Sequence, residues 1–349
     1  MKKIVLVLLG IIILIGLFTG WKLFGPTTSF DAPVKYLYIP GKNATKENIL
    51  SQLEKDSMVS SIRSFSWLAA RMNYWKQIKP CKYKISSGNS VFNIVRLLRN
   101  GQQSPVNLVI TKIRTKEDLA SLTGRKFECD SLSMIDYLNN PDSLAKYQLD
   151  SNTVMTAVFP NTYTFFWNTT PGKIFNKLIR QYNAFWTDER RKLATDKGLS
   201  PQTAYILASI IEEETNKNDE KGNIASVYLN RMQKGMRLGA DPTVKFALRD
   251  FSLKRIYNKH LSVESPYNTY KVTGLPPGPI CTPSTNTIEA VLRSPITDYL
   301  YFVAKSDFSG YHTFASTYEQ HLKFAKEYQT ALNKYLQQTQ PANDNLDKQ

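Results

Sequence analysis

Residues 4–21 read IVLVLLGIIILIGLFTGW, an uncharged run with Lys2 and Lys3 before it and Lys22 after it. Roughly 20 consecutive apolar residues are what a helix needs to cross a bilayer. The run has no polar side to turn to water, so it does not suit a helix packed on a globular core. It is longer than the roughly 7–15-residue apolar stretch of a cleaved signal peptide, and no small-x-small site follows it before Pro26. Residues 1–25 are therefore expected to be a retained transmembrane anchor. The leading lysines favour a cytoplasmic N-terminus, which leaves the bulk of the chain outside the cytoplasm. Trp21 and Phe24 suit the far interface.

That location narrows the meaning of the charge. The 349 residues include 45 Lys and Arg against 29 Asp and Glu, a net charge of +16. Such a surplus attracts polyanions. For an outward-facing chain these are lipid headgroups and acidic wall polymer, not nucleic acid, and basic side chains near the bilayer hold the domain against it. Cys81, Cys129 and Cys281 are far apart, and no CxxC or Cys/His spacing marks a metal site. With His260, His312 and His321 the only histidines, zinc catalysis is not expected. No metal or other cofactor is expected.

Beyond the anchor the pattern is mixed. KYLYIP, 35–40, reads as a strand, a helix opens at Thr45, and a second helix is expected over about 59–77. Tyr83 and Ile85 alternate as in a strand. A turn follows at 86–89, and Val91, Ile94, Val95 and Leu98 share one helix face that Asn100-Gly101 ends. Residues 106–110 read as another strand, so 80–112 form a small α+β module. The segment 115–150 is helical in patches, with a short helix near 131–138. AVFPNTYTFFWNTT, 157–170, is aromatic and turn-rich, and a helix is expected from Pro171 to about Asp196. The polar tail, 336–349, is expected to be disordered.

The chemistry concentrates after Pro201, which fits a first helical turn in PQTAYILASIIEEETNK, 201–217. Leu207, Ile210, Ile211 and Glu214 fall at i, i+3, i+4 and i+7, one face of a helix. An apolar stripe that should enter the core thus finishes on a carboxylate, with Glu212 and Glu213 turned away by steps of about 100°. Loss of hydration raises a carboxyl pKa, and a Glu raised towards neutrality is a general acid. Glu214 is the acid candidate of the triplet and Glu212 a supporting residue; the plainer alternative is a surface acidic run or an Arg partner. A second helix follows, with Ile224, Val227, Tyr228 and Met232 as an apolar face that Gly235 ends. Asp241 stands either as a helix N-cap or as a group orienting substrate or Arg237. The loop SPYNTYKVTGLPPGPICTPS, 265–284, is too long for a plain turn. In it Tyr267, Asn268, Thr269 and Tyr270 are able to grip sugar hydroxyls or an acetamido group, or simply to brace the loop. A helix is expected at 288–293, a strand at 298–303 and its hairpin return at 310–314. His312 reads as a hydrogen-bonded structural residue before a wall of the site.

These stretches carry a resemblance. LASIIEEET (207–215), IASVYLNRMQKGMRLGADPTVKFAL (224–248), the 265–284 loop, TDYLYFVA (297–304) and HTFASTYEQH (312–321) appear in the order found in the MltG (YceG-like) endolytic murein transglycosylases, and FPNTY (159–163) matches the short motif upstream. The resemblance implies an α+β chain with an N-terminal transmembrane helix, a small LysM-like α+β module and a mixed α+β catalytic domain. The corresponding ranges are 1–25 for the anchor, 26–115 for the LysM-like region, 116–335 for the catalytic domain and 336–349 for the tail. Ile113-Arg114-Thr115 departs from the family, which usually has an acidic-Gly-Thr stretch there.

The family's catalytic glutamate precedes the Thr of an ET pair, which is Glu214 here, with Tyr270 favoured over Tyr267 as its helper. Asn268, Tyr267, Asp241 and Glu212 are the expected substrate-binding residues. Hydrolysing glycosidases use two carboxylates. A lytic transglycosylase needs one, because the 6-hydroxyl of the same N-acetylmuramic acid ring attacks intramolecularly. The implied substrate is the peptidoglycan glycan strand and the implied site the inner membrane, single-pass with the catalytic domain periplasmic. Peptidoglycan synthases are candidate partners. The rival readings are a non-catalytic wall-binding scaffold and a lysozyme-like hydrolase with Asp241 as second carboxylate.

Overall fold

The computed structural model describes residues 2–339. The chain divides into two compact units. The first takes Met1–Leu108, Ser121–Met134 and Tyr163–Ile174; the second takes Val109–Ala120, Ile135–Thr162 and Phe175–Gln349.

The first unit begins with helix α1 (Lys2–Phe24). Its stretch Lys3–Phe24 is long and apolar enough to cross a membrane and is nowhere buried in protein. At 1.5 Å per residue, 22 residues reach about 33 Å, against a hydrocarbon core of about 30 Å. The helix enters the folded unit without a flexible spacer. The Gly25 N–H donates to the Trp21 carbonyl, Phe24 packs on the Phe92 ring at 5.2 Å between centroids, and Pro26 bridges to Ser90.

Strand β1 (Val34–Ile39) then leads through α2 (Lys46–Lys55) and α3 (Ile62–Arg71) to β2 (Cys81–Ser86), followed by α4 (Val91–Asn100) and β3 (Pro105–Ile110). β1 and β2 pair antiparallel with Val34 opposite Ser86 and Ile39 opposite Cys81. Period-2 alternation sends Leu37, Ile39, Cys81, Tyr83 and Ile85 into one core and leaves Tyr36, Tyr38 and Lys84 on the other face. Thr45, Ser61 and Ser90 each cap the helix that follows, the side chain accepting from the N–H three residues on. Gly101, at φ +68°, ends α4 in the left-handed conformation that a β-carbon disfavours. The second helix is shorter than the expected 59–77. It stops at Arg71, and Asn73 takes φ +55° before a single 3₁₀ turn over Tyr74–Lys76.

Onward, α5 (Lys116–Gly124), α6 (Ser131–Asn139), α7 (Pro141–Ala145), β4 (Asn161–Phe166) and α8 (Pro171–Phe185) follow. β4, paired with β3, lies where only turns and aromatics were expected. The helix expected over 171–196 is two: Thr187 starts α9 (Asp188–Asp196) as an N-cap, its hydroxyl accepting from the Arg190 N–H.

The second unit is built on α10 (Pro201–Glu214), packed against α9, α11 (Lys221–Gln233), α12 (Asp241–Leu248) and α14 (Thr285–Leu292). A short helix α13 (Asn258–Leu261) follows α12. Hairpin β5 (Tyr301–Ala304) and β6 (His312–Ala315) then pairs Tyr301 with Ala315 and Ala304 with His312. The last helix, α15 (Tyr318–Thr339), runs past residue 335, so residues 336–339 of the expected tail are helical; 340–349 lie outside the described residues. Ser200 and Thr203 start α10 with a reciprocal capping box, each side chain accepting from the other's backbone N–H. Every residue from Ala204 to Ile211 is buried. The helix is thus enclosed on all sides, as a central helix should be, and the stripe of Leu207, Ile210 and Ile211 is one buried face among several. All three cysteines are free, Cys81 and Cys281 in the interior.

Candidate active site

The last three residues of α10 are carboxylates, and rotation by about 100° per residue gives each a separate environment. Glu212 turns towards α11 and α14. It accepts from the Lys221 ammonium at 3.0 Å, from the Ser284 hydroxyl at 3.2 Å and from the Thr287 hydroxyl. Lys221, only 5% exposed at its side chain, also donates to Thr287 at 2.7 Å. All three donors converge on Oε2, so this carboxylate ties α10, α11 and the start of α14 together. Glu213 points to the segment before α5, where Lys112 at 3.1 Å and Arg114 at 3.0 Å pair with it. Burial alone would raise its pKa, but those two cations hold it below the usual carboxylate range.

Glu214 has no such partner. Its Oε1 accepts from the Tyr228 hydroxyl at 2.6 Å, and no hydrogen bond is made to Oε2 among the described residues. The side chain keeps some exposure. Its carboxyl is nevertheless deep enough that burial pushes the pKa up to about 7, against the Tyr228 hydrogen bond, with the Asp241 charge adding to the rise and Arg231 and Lys245 opposing it. Tyr228 is 1% exposed on α11 and is itself pushed well up, by burial and by the carboxyl it serves. In the sequence Tyr228 falls among the apolar residues of a helix face. Its hydroxyl was the missed signal, because a Tyr buried that deeply needs a hydrogen-bond partner.

The loop residues divide. Tyr270 donates to Asp241 Oδ1 at 2.6 Å, and burial with the charges of Asp241 and Glu214 raises its pKa. Its ring borders Gly239, where an added β-carbon would lie 3.7 Å from it. Asp241 is the first residue of α12, not its N-cap: Ala240 holds that place, and the Asp241 carboxylate serves Tyr270, while Arg237 donates to the Tyr270 carbonyl. Thr269, fully buried, accepts from the Ala240 N–H at 2.9 Å and shares a 2.8 Å hydrogen bond with Thr243, which pins the loop to the start of α12. Asn268, also fully buried, donates to the Leu261 and Val263 carbonyls, both at 2.9 Å, and accepts from the Tyr270 N–H. Both its N–H donors and its Oδ1 go to the loop backbone. It positions Tyr270 and leaves nothing for a sugar. The Tyr267 ring packs tilted against Phe246 at 4.7 Å, and its hydroxyl lies over Gly278, where a β-carbon would come within 2.8 Å. His312 donates its backbone N–H to Glu220 and shares a 2.9 Å hydrogen bond with that carboxylate through Nδ1, which fits the structural role expected for it.

What α10 and the loop bring together is thus a carboxyl proton held near neutral pH, a buried phenol on one of its oxygens, and a Tyr270–Asp241 pair within electrostatic reach. Such a group gives up and recovers a proton at working pH. The cost appears as pH-dependent stability. Below pH about 4.5 the carboxyl is protonated in both folded and unfolded chains. As pH rises towards 7 the unfolded chain ionises first, so stability falls, by up to about 3 kcal/mol above pH 7. Glu214→Gln is expected to match the parent near pH 4 and exceed it by that amount at pH 8, in urea titrations at both values. Tyr228→Phe removes the hydrogen bond that favours the carboxylate, and is expected to move the Glu214 titration above 7, as read from its ¹³C carboxyl shift.

The profile of the YceG-like family matches residues 37–327. An endolytic murein transglycosylase of Bacillus subtilis (strain 168) is 38% identical over 177 residues, 50% of this chain and 48% of that protein. One of Streptococcus pneumoniae serotype 2 is 26% identical over 305 residues, 74% of this chain and 52% of the relative. The chain therefore spans about half the length of these curated relatives. A 2.6 Å crystal structure of a yceG-like protein from Listeria monocytogenes superposes with a TM-score of 0.55 at 28% identity, covering 84% of this chain and 99% of the other.

Proposed function

Because this chain belongs to the YceG-like family, we propose that it is a single-pass membrane lytic transglycosylase. It cuts peptidoglycan between MurNAc and GlcNAc without water and leaves 1,6-anhydro-MurNAc ends. The observation that carries this reading is Glu214: one carboxyl, held protonated near neutral pH, with one oxygen bound by Tyr228 and the other unbound.

In this mechanism the proton rests on Oε2, because Tyr228 donates to Oε1. Glu214 delivers it to the β-1,4 glycosidic oxygen as the bond to the muramoyl anomeric carbon breaks. The GlcNAc-side fragment leaves as an alcohol. The carboxylate so formed, steadied by Tyr228, then takes the proton of the muramoyl 6-hydroxyl as that oxygen closes on the anomeric carbon. Glu214 ends protonated, ready for another cycle, and no water is consumed. Intramolecular attack supplies the advantage that a second carboxylate gives a hydrolase. Tyr270, fixed by Asp241 and by the Asn268-braced loop, flanks the developing positive charge. Helix α1 anchors the chain with Lys2 and Lys3 on the cytoplasmic side. Residues 26–115 are then a LysM-like region outside the membrane, and cutting of newly made strands near the bilayer would end their elongation beside the synthases.

Mass spectrometry of glycan strands digested by the full-length protein in detergent tests this. Anhydro-ended products are expected. Reducing ends would make the chain a hydrolase, and the absence of products a scaffold.

A further inference from the structure

Glu213, the neighbour of Glu214, forms part of the wall of a cavity of about 60 Å³, together with Arg114, Lys245, Phe246 and Phe251. That volume has room for a carboxylate. Its charge is unbalanced. Glu213 is shared between Lys112 and Arg114, so it is already over-neutralised. The Lys245 ammonium has no ion pair or hydrogen bond among the described residues. It stands four residues after Asp241, one turn further along the same face of α12, and its charge acts on the Glu214 carboxyl. Arg114 lies over the Phe251 ring at 4.8 Å, and Phe246 is 7% exposed, so part of the wall is aromatic. An anion entering here would meet an uncommitted ammonium in partly desolvated surroundings, where charge-assisted hydrogen bonds are strongest.

We infer that this cavity is a carboxylate subsite, in which Lys245, backed by Arg114, receives a carboxylate carried on the lactyl arm of the muramoyl residue being cut. The inference rests on the transglycosylase reading for its substrate. It adds that cleavage selects for an acidic arm at that ring. The acid group has two sources: the lactyl carboxylate itself on a peptide-stripped strand, or the nearest free carboxylate of a stem peptide. Arg114 is a poor test residue because it also holds Glu213, whereas Lys245→Met keeps volume and removes only the charge.

The experiment compares kcat/KM of the full-length protein and its Lys245→Met variant on four substrates. These are peptide-stripped strands, peptide-bearing strands, and each of the two with its carboxylates converted to methyl amides. Any effect of Lys245 on the Glu214 proton acts on all four and cancels in the acid-to-amide ratio. That ratio is expected to fall at least about tenfold in Lys245→Met, through KM, for the strand type whose carboxylate is the true ligand. A second arm needs no turnover: binding of muramoyl disaccharides, stripped or peptide-bearing, acid or amide, to Glu214→Gln with and without Lys245→Met. The acid forms are expected to lose affinity by a similar factor. An acid-to-amide ratio equal in both backgrounds, for both strand types, overturns the subsite. Absence of cleavage by the parent protein would instead sink the transglycosylase reading, and the binding arm would then decide the cavity by itself.

Discussion

Glu214→Gln is expected to lower the rate of anhydro-end formation by about 10³- to 10⁴-fold, the upper part of what a positioned general acid–base group contributes. In the proposed mechanism the loss is large because the same carboxyl serves both halves of the reaction. An amide has no proton to give the leaving oxygen, and once that step fails no base is generated for the 6-hydroxyl. Tyr228 still finds an acceptor in the amide oxygen, so the 2.6 Å contact is retained and the pocket keeps its shape. Quantifying anhydro ends against time for parent and variant, with strand binding measured in parallel, checks the prediction. Retained binding with lost cleavage is the expected pair, and undiminished release of anhydro ends from the variant would remove Glu214 from the mechanism.

Lys221→Met costs about 3–5 kcal/mol of folding stability, the usual penalty for stranding one member of a buried ion pair. Lys221 is 5% exposed at its side chain and Glu212 16%, and the ammonium bridges Glu212 and Thr287. With the cation gone, Glu212 keeps only the Ser284 and Thr287 hydroxyls to stabilise its charge. Replacing Glu212 by Gln in the same background should restore part of the loss, since the orphaned charge then disappears. Urea unfolding of the single and double variants separates this from a general packing defect; a loss below about 1 kcal/mol would mean that solvent reaches the pair.

The contrast between Glu212 and Glu214 marks what was legible in the sequence and what was not. Local rules reach the strand alternation of 81–86, the caps at Thr45 and Ser90 and the rotation that separates three adjacent carboxylates, because all depend on neighbours within a turn. Partner identity is non-local. Glu212 meets Thr287 across 75 positions and Glu213 meets Arg114 across 99, and no periodicity within α10 names either. For the same reason Glu212 was expected near substrate and Asn268 on a sugar, while Tyr228 was counted as core. The type of each residue was readable, but the direction of its hydrogen bonds belonged to the tertiary fold. Strand β4 was missed because its partner, β3, lies more than fifty residues upstream.

The reciprocal cap at Ser200 and Thr203 has a bearing on chemistry carried out at the other end of α10. A helix transmits angular phase: whatever fixes its first turn also decides which way its last side chain faces. Ten residues, 204–213, lie between that clasp and Glu214, and losing or adding one of them would swing the terminal glutamates by about 100°. The residue delivered to Tyr228 would then be Glu213 or Thr215. A serine and a threonine at one end of the helix thereby act as the index mark for the carboxyl at the other.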